Sequence, residues 1–233
     1  MELITKAVIM AGGEGTRLRP YTEMTPKAML EVNGIPLLRL MIERLHSFGI
    51  THFYLSVNYL SKVICDYFGD GSKFGINITY IKEPYSMGTA GSISMVDIEE
   101  PFLVINGDVY TSLDFRDLFV EFRRSKSDLL ICCREQLLKT DYGVIVKEDD
   151  RITSWVEKPE FTHYISCGIY VFKPEIVKYI PKEHFFNMNH LAEAVIEKNK
   201  KAGFYLMDDL DIWIDIGTIE EYNKVKELLT VKK

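Results

Sequence analysis

The chain has 233 residues, of which 47% are apolar and 27% charged, with four cysteines and a formal charge of −6. That length suits one compact unit rather than two full-sized domains, and the composition excludes a disordered chain. The negative balance excludes a surface built to hold nucleic acid by phosphate attraction, so any anion site has to be local.

Ala7–Met10 is a short apolar run, predicted as a buried strand, and it leads directly into Ala11-Gly12-Gly13-Glu14-Gly15-Thr16-Arg17. Ile35–Phe48 places Leu37, Leu38, Met41, Ile42, Leu45 and Phe48 at helical spacing, with Pro36 near its start and Gly49 as its stop. A strand at Phe53–Val57, a helix at Ser61–Phe68 and a strand at Ile76–Ile81 follow. Gly88–Val96 reads as a helix, Phe102–Asn106 as a buried strand, Asp114–Arg124 as an amphipathic helix and Leu129–Cys133 as another strand. This alternation predicts βαβ units and a three-layered, mainly parallel sheet.

The rhythm then changes. Tyr142–Lys147, Ile152–Val156 and Gly168–Phe172 are strands with few helices between them, which predicts a small antiparallel lobe. A helix at Asn189–Asn199, a strand at Asp211–Ile214 and a helix at Thr218–Leu229 close the chain, and Thr218 with Glu221 has capping-box spacing. Lys232 and Lys233 read as a solvated end. No stretch is long and apolar enough for a membrane span, and the first residues lack the pattern of a signal peptide, so the expected location is the cytoplasm, with no membrane partner. Cys65, Cys132, Cys133 and Cys167 form no CxxC pair and lie in apolar stretches, as buried thiols do.

The glycines Gly12, Gly13 and Gly15 let backbone amides crowd around an anion, and Arg17, Arg19 and Lys27 follow in an otherwise acidic protein. That combination points to phosphate, although a tight turn after a strand has the same glycines. The dinucleotide fingerprint fails at its third glycine, and a P-loop would need Gly-Lys-Ser/Thr where Gly15-Thr16-Arg17 stands. Asp108 follows the strand Phe102–Asn106 through Gly107, and Asp215 ends the strand Asp211–Ile214 before Gly217. Two carboxylates at strand ends can hold Mg²⁺ while substrate phosphates supply further oxygens; either one alone reads equally well as a turn cap. Lys158, after a strand and before Pro159, has the reach to bind a second phosphate.

Taken in order, AGGEGTRLRP, PKAMLEVNGIPLL, FGDGSKFG, GTAG, INGD, YGVIV, VEKP, CGIYVF and WIDIGT resemble the motifs of sugar-1-phosphate nucleotidylyltransferases over nearly the whole chain. The resemblance implies a single catalytic domain over residues 1–233, with a three-layer Rossmann-like α/β fold. Its nucleotide-binding part covers about residues 1–135 and its sugar-phosphate-binding part about residues 136–233, with a small antiparallel sugar-binding lobe. It implies an NTP held by Met10, Ala11, Gly12, Gly13, Gly15 and Thr16, with Glu83, Gly88 and Thr89 near the base. Arg17 would grip the leaving pyrophosphate, Lys27 would contact the reacting phosphates, and Asp108 and Asp215 would bind Mg²⁺; Arg17, Lys27 and Asp108 form the catalytic set. The sugar 1-phosphate would meet Asn106, Tyr142, Gly143, Glu157, Lys158, Ser166 and Gly168.

The GTAG segment is most similar to the mannose-1-phosphate guanylyltransferase branch, which implies GTP. Ser166 and Cys167 stand where many relatives have asparagine and alanine, a departure that alters contacts to the sugar. No C-terminal β-helix or regulatory module is expected. Two other readings share these residues: the same fold acting on another NTP, or on a non-sugar phosphomonoester such as phosphocholine with CTP, and a nucleotide-sugar sensor without chemistry. The sequence also allows a homodimer, with Phe185 and Phe186 as either contact or core.

Overall fold

The structure, a computed structural model, describes residues 4–230; Lys232 and Lys233 lie outside the described residues. The chain runs β1 (Lys6–Met10), β2 (Glu31–Val32), β3 (Ile35–Pro36), α1 (Leu37–Ser47), β4 (His52–Val57), α2 (Ser61–Phe68), β5 (Asn77–Lys82), β6 (Phe102–Asn106) and β7 (Val109–Thr111). It continues through α3 (Phe115–Ser125), β8 (Leu129–Lys139), β9 (Val144–Glu148), β10 (Arg151–Val156), β11 (Glu160–Phe172), α4 (Met188–Glu197), β12 (Ala202–Leu206), β13 (Trp213–Asp215) and α5 (Ile219–Thr230).

Seven strands form the central sheet in the order β12-β8-β11-β6-β1-β4-β5. All of its neighbours pair in parallel except β11, which runs against both β6 and β8. The predicted mainly parallel, three-layered sheet is the observed one. Its layers follow from strand periodicity: Ala7 and Ile9 point into a core shared with α1, α2 and α3, whereas Val8 points into a second core with Ile93, Ile176 and α4. A third cluster, Leu18, Leu30, Ile216, Tyr222 and Val225, packs α5 beneath the chain leaving the glycine loop. Thr218 and Glu221 form the predicted capping box at α5: Glu221 N–H donates to Thr218 Oγ1 (3.3 Å), and Glu221 Oε2 accepts from the Thr218 hydroxyl (3.0 Å) and Gly217 N–H (2.9 Å).

Several boundaries differ from the sequence expectation. Gly88–Val96 is not an α-helix; only a short 3₁₀ helix forms at Gly91–Met95, because the amides of Ala90 and Gly91 both donate to Phe186 O (2.9 and 3.0 Å). β8 and β11 are far longer than the predicted Leu129–Cys133 and Gly168–Phe172, and pair with each other from Cys133↔Ser166 out to Lys139↔Glu160 beyond the end of β6. β7 and β12 have no counterpart among the predicted strands. Pro36 sits at the N-cap of α1 rather than inside it. Cys132 and Cys167 are buried in the first core, and Cys65 and Cys133 are half-buried. Phe186 packs against the second core, while Phe185 is exposed. Among the described residues no helix is long and apolar enough to cross a membrane.

Candidate active site

The carboxyl edge of β1, β4 and β6 is where the backbone opens for a ligand. Met10 O accepts from Gly107 N–H (2.9 Å) and Ala11 N–H donates to Ser56 O (2.8 Å), so the glycine loop leaves β1 pinned between its two neighbours. The loop closes at Gly15, whose carbonyl accepts from the Thr22 hydroxyl (2.8 Å) and from Leu18 N–H (2.9 Å), with Leu18 fully buried as its anchor. Met10, Gly12, Gly13, Glu83, Ser86, Gly88, Thr89, Asn106 and Asp108 together line one open cleft of about 260 Å³. All but Ser86 were expected from the sequence.

At one end of the cleft Asp108 is held in an ion pair. Lys27, on a short 3₁₀ helix at Lys27–Met29, bonds Asp108 Oδ2 through Nζ, and both side chains are largely buried. Asp215 lies beside them because β13 pairs antiparallel with β7, placing Asp215 opposite Val109, and Ile216 N–H donates to Asp108 O (2.9 Å). Burial pushes the Asp215 carboxyl above the usual carboxylate range; the nearby charge of Asp108 pushes the same way, and Lys27 and Arg17 oppose it. Arg17 reaches the same corner: a Cβ on Gly217 would lie 2.9 Å from its Nη2.

Asp108 Oδ1 and Asp215 Oδ1 are both buried without a hydrogen-bond partner. Two anionic oxygens left in this state are costly unless something positive completes them. Among the described residues no group of three or more His, Cys, Asp or Glu could close around an ion. The donor set fits Mg²⁺, which is usually held by one or two carboxylates plus phosphate oxygens and water.

On the opposite wall, Glu83 is held at both oxygens: Ser56 Oγ donates to Oε1 (2.6 Å) and Met87 N–H to Oε2 (3.1 Å). Ser56 and Ser92 are fully buried, with their hydroxyls 2.8 Å apart. Thr89 lines the cleft, but its hydroxyl accepts from Met188 N–H (2.9 Å) at the start of α4. Neither buried serine carries a sequence signal: Ser56 is one polar residue in an apolar strand, and Ser92 is one of several small polar residues between Thr89 and Ser94.

The residues expected around the sugar divide into two groups. Gly168 sits in a bulge of β11, where the pairing with β8 shifts between Ser166 and Tyr170. Its φ is +70°, and a Cβ at this position would lie 2.6 Å from Asn106 Nδ2; both demand glycine there. Ser166 is turned to the Tyr170 hydroxyl (2.9 Å), and Trp213 Nε1 donates to Cys167 O (2.8 Å), satisfying the bulge carbonyl. Tyr142, Gly143, Glu157 and Lys158 belong instead to the exposed β9–β10 hairpin and are not among the residues lining the cleft. There Gly143 rests on the Trp155 ring, and Trp155 Nε1 donates to Glu157 Oε2 (3.3 Å).

The fold and this site define a class of nucleotide-handling α/β proteins, and comparison with known proteins narrows it. Residues 6–232 match the family described as nucleotidyl transferase. The chain belongs to the nucleotidyl transferase family. It is 32% identical over 226 residues to a mannose-1-phosphate guanylyltransferase of Mycobacterium tuberculosis, covering 93% of this chain and 62% of that protein. It is 30% identical over 241 residues to a UTP–glucose-1-phosphate uridylyltransferase of Synechocystis, covering 93% and 61%. The chain thus spans about three fifths of the length of these relatives. Among solved structures, HddC from Yersinia pseudotuberculosis matches with a TM-score of 0.74 at 28% identity, covering 97% of this chain and all of that one. A UDP-glucose pyrophosphorylase solved with UDP-glucose shares the fold, with a TM-score of 0.77 at 20% identity over 99% and 100% of the two chains.

Proposed function

We propose that the protein transfers a nucleoside monophosphate from an NTP, preferentially GTP, to a sugar 1-phosphate, giving a nucleotide sugar and pyrophosphate. The observation that carries this reading is the pair of buried, unpartnered carboxylate oxygens of Asp108 and Asp215 beside Lys27 and Arg17, at one end of a cleft begun by a glycine loop. Mg²⁺ held there by Asp108 and Asp215 would neutralise phosphate charge as it develops.

The remaining chemistry asks for alignment rather than a protein base. A phosphomonoester has a second pKa near ~6, so its oxygen is already largely ionised at neutral pH. That oxygen attacks the α-phosphorus; the bond from the α-phosphorus to the α,β-bridging oxygen breaks, and its electron pair leaves with pyrophosphate. The amides of Ala11–Thr16 hold the triphosphate, Lys27 contacts the reacting phosphates, and Arg17 grips the departing pyrophosphate. Asn106, Gly168 and Ser166 flank the acceptor sugar. Tyr142, Gly143, Glu157 and Lys158 supply its outer side, with Lys158 on the phosphate.

Guanine is the preferred base because the Gly88-Thr89-Ala90-Gly91 segment, which lines the cleft through Gly88 and Thr89, is most similar to the guanylyltransferase branch. The M. tuberculosis relative is named as a guanylyltransferase, and HddC was solved with GMP-PN. The test is a matrix of GTP, UTP, dTTP, CTP and ATP against sugar 1-phosphates and phosphocholine, read as pyrophosphate release. GTP with a sugar 1-phosphate should dominate. Faster turnover with another base would overturn the donor assignment, and binding without turnover anywhere would return the sensor.

A further inference from the structure

Asn187 occupies the N-cap of α4 but does not cap it. Asparagine at that position normally turns its side-chain oxygen back to an amide of its own first turn. Here Asn187 Oδ1 accepts instead from Thr89 N–H across the chain (3.3 Å), and the Thr89 hydroxyl accepts from Met188 N–H (2.9 Å), the first amide of α4. The two residues are cross-bonded, so the first turn of α4 and the rim of the cleft share one hydrogen-bond set. Phe186 N–H donates to Met87 O (3.0 Å), and Phe186 O takes both the Ala90 and Gly91 amides, extending the same clasp.

Gly88 shows how closely the clasp fits. It lines the cleft with φ +76°, and a Cβ on it would come within 2.7 Å of both Asn187 Oδ1 and Phe186 O. The side chain of Asn187 therefore sets how far the rim bearing Gly88 and Thr89 can retreat from the cleft. Behind it α4 is anchored by Leu191 and Val195, both fully buried in the second core.

We infer that Asn187 is a positioning residue for the nucleotide: without entering the cleft, it fixes the Gly88–Thr89 segment against which the base is read. This rests on the assignment of the cleft to the NTP. Because Asn187 acts on one wall, its loss falls on nucleotide affinity and spares the carboxylate corner where the transfer takes place. The Asp variant keeps an acceptor oxygen for Thr89 N–H and restores the clasp.

The experiment compares wild type, Asn187→Ala and Asn187→Asp. Asn187→Ala should raise KM for the NTP about tenfold, as loss of a hydrogen bond and of loop order together can. It should leave kcat within about twofold and KM for the sugar 1-phosphate unchanged, and Asn187→Asp should lie close to wild type. Amide hydrogen exchange at Thr89, Ala90, Gly91 and Met188 should quicken in the Ala variant while α1 stays protected. A lower melting temperature with unchanged KM would overturn the inference, as would an equal loss toward both substrates or an Asp variant no better than Ala. If wild type turned over no substrate pair, the functional reading would fall on its own. The exchange data would still decide on the clasp, since unchanged exchange at these amides overturns it.

Discussion

The carboxyl edge of β1, β4 and β6 and the overhang of β8 and β11 belong to one sheet, yet different forces hold them. At the edge, Val8, Phe53 and Leu103 are fully buried, strands flank each other on both sides, and the loop amides are pinned to neighbouring strands. On the overhang and the β9–β10 hairpin that joins its strands, Tyr164, Trp155 and Ile152 are each more than 60% exposed, and the β8–β11 ribbon consists of two strands with neither side covered by the sheet. A two-stranded ribbon alone is marginal in water, so its order depends on the rigid strands it grows from. On the proposed function, phosphate chemistry, whose gain comes from charges fixed before the reaction, falls at the pinned edge. On the same proposal, recognition of the acceptor falls on the exposed ribbon and hairpin.

That contrast can be tested from its strongest expression downward. Asp108→Asn should lower kcat/KM by roughly 10³-fold, with the thermal transition little changed, because one of the two carboxylates that would hold Mg²⁺ against the phosphates is lost; pyrophosphate release and a melting curve read the two halves of this statement. Phe53→Ala should cost about 3–5 kcal/mol in urea unfolding, whereas Ile152→Ala on the hairpin should cost less than ~1 kcal/mol. Equal costs would mean the hairpin is packed in solution. Lys158→Ala should raise KM for the sugar phosphate about tenfold and leave KM for the nucleotide alone, since it removes one charge-assisted contact.

The smallest effect concerns Asp128, where β8 begins. Burial alone would raise its pKa, but the bonds from Lys173 Nζ (2.9 Å) and Lys201 N–H (2.9 Å) prevail and hold it below the ordinary aspartate value of 3.8. A depressed carboxylate contributes stability that is present above the unfolded-state pKa and lost as the pH falls through the folded-state value. The urea midpoints of wild type and Asp128→Asn should therefore differ at about pH 6 and converge toward about pH 3.

Much of the central sheet was legible because buried parallel strands are short apolar runs and their helices repeat at 3.6 residues, as α1 shows from Leu37 to Leu45. The glycine loop could be placed because it follows such a strand directly, and Asp108 and Asp215 because each stands beside a strand end and a glycine. The overhang was not legible: residues 134–139 and 160–165 mix apolar and polar side chains with no buried face, so the alternation that marks a half-buried strand is missing. Gly88–Val96 misled for a related reason. Its residues suit a helix locally, but its amides are claimed by Phe186, almost a hundred positions away. The closeness of Asp108 to Asp215 is likewise a tertiary fact, created by pairing β7 with β13.

The reversal of β11 has an evolutionary corollary. Because β8 leaves the sheet at the same edge as the glycine loop and β11 returns there, the six paired residues past Cys133 project about 20 Å from it without crossing the interior. Exchanging the span between Lys139 and Glu160 would replace the tip proposed to meet the acceptor while the rest of the sheet kept every strand in register. A lineage could thus change its sugar by grafting a new finger onto an untouched palm.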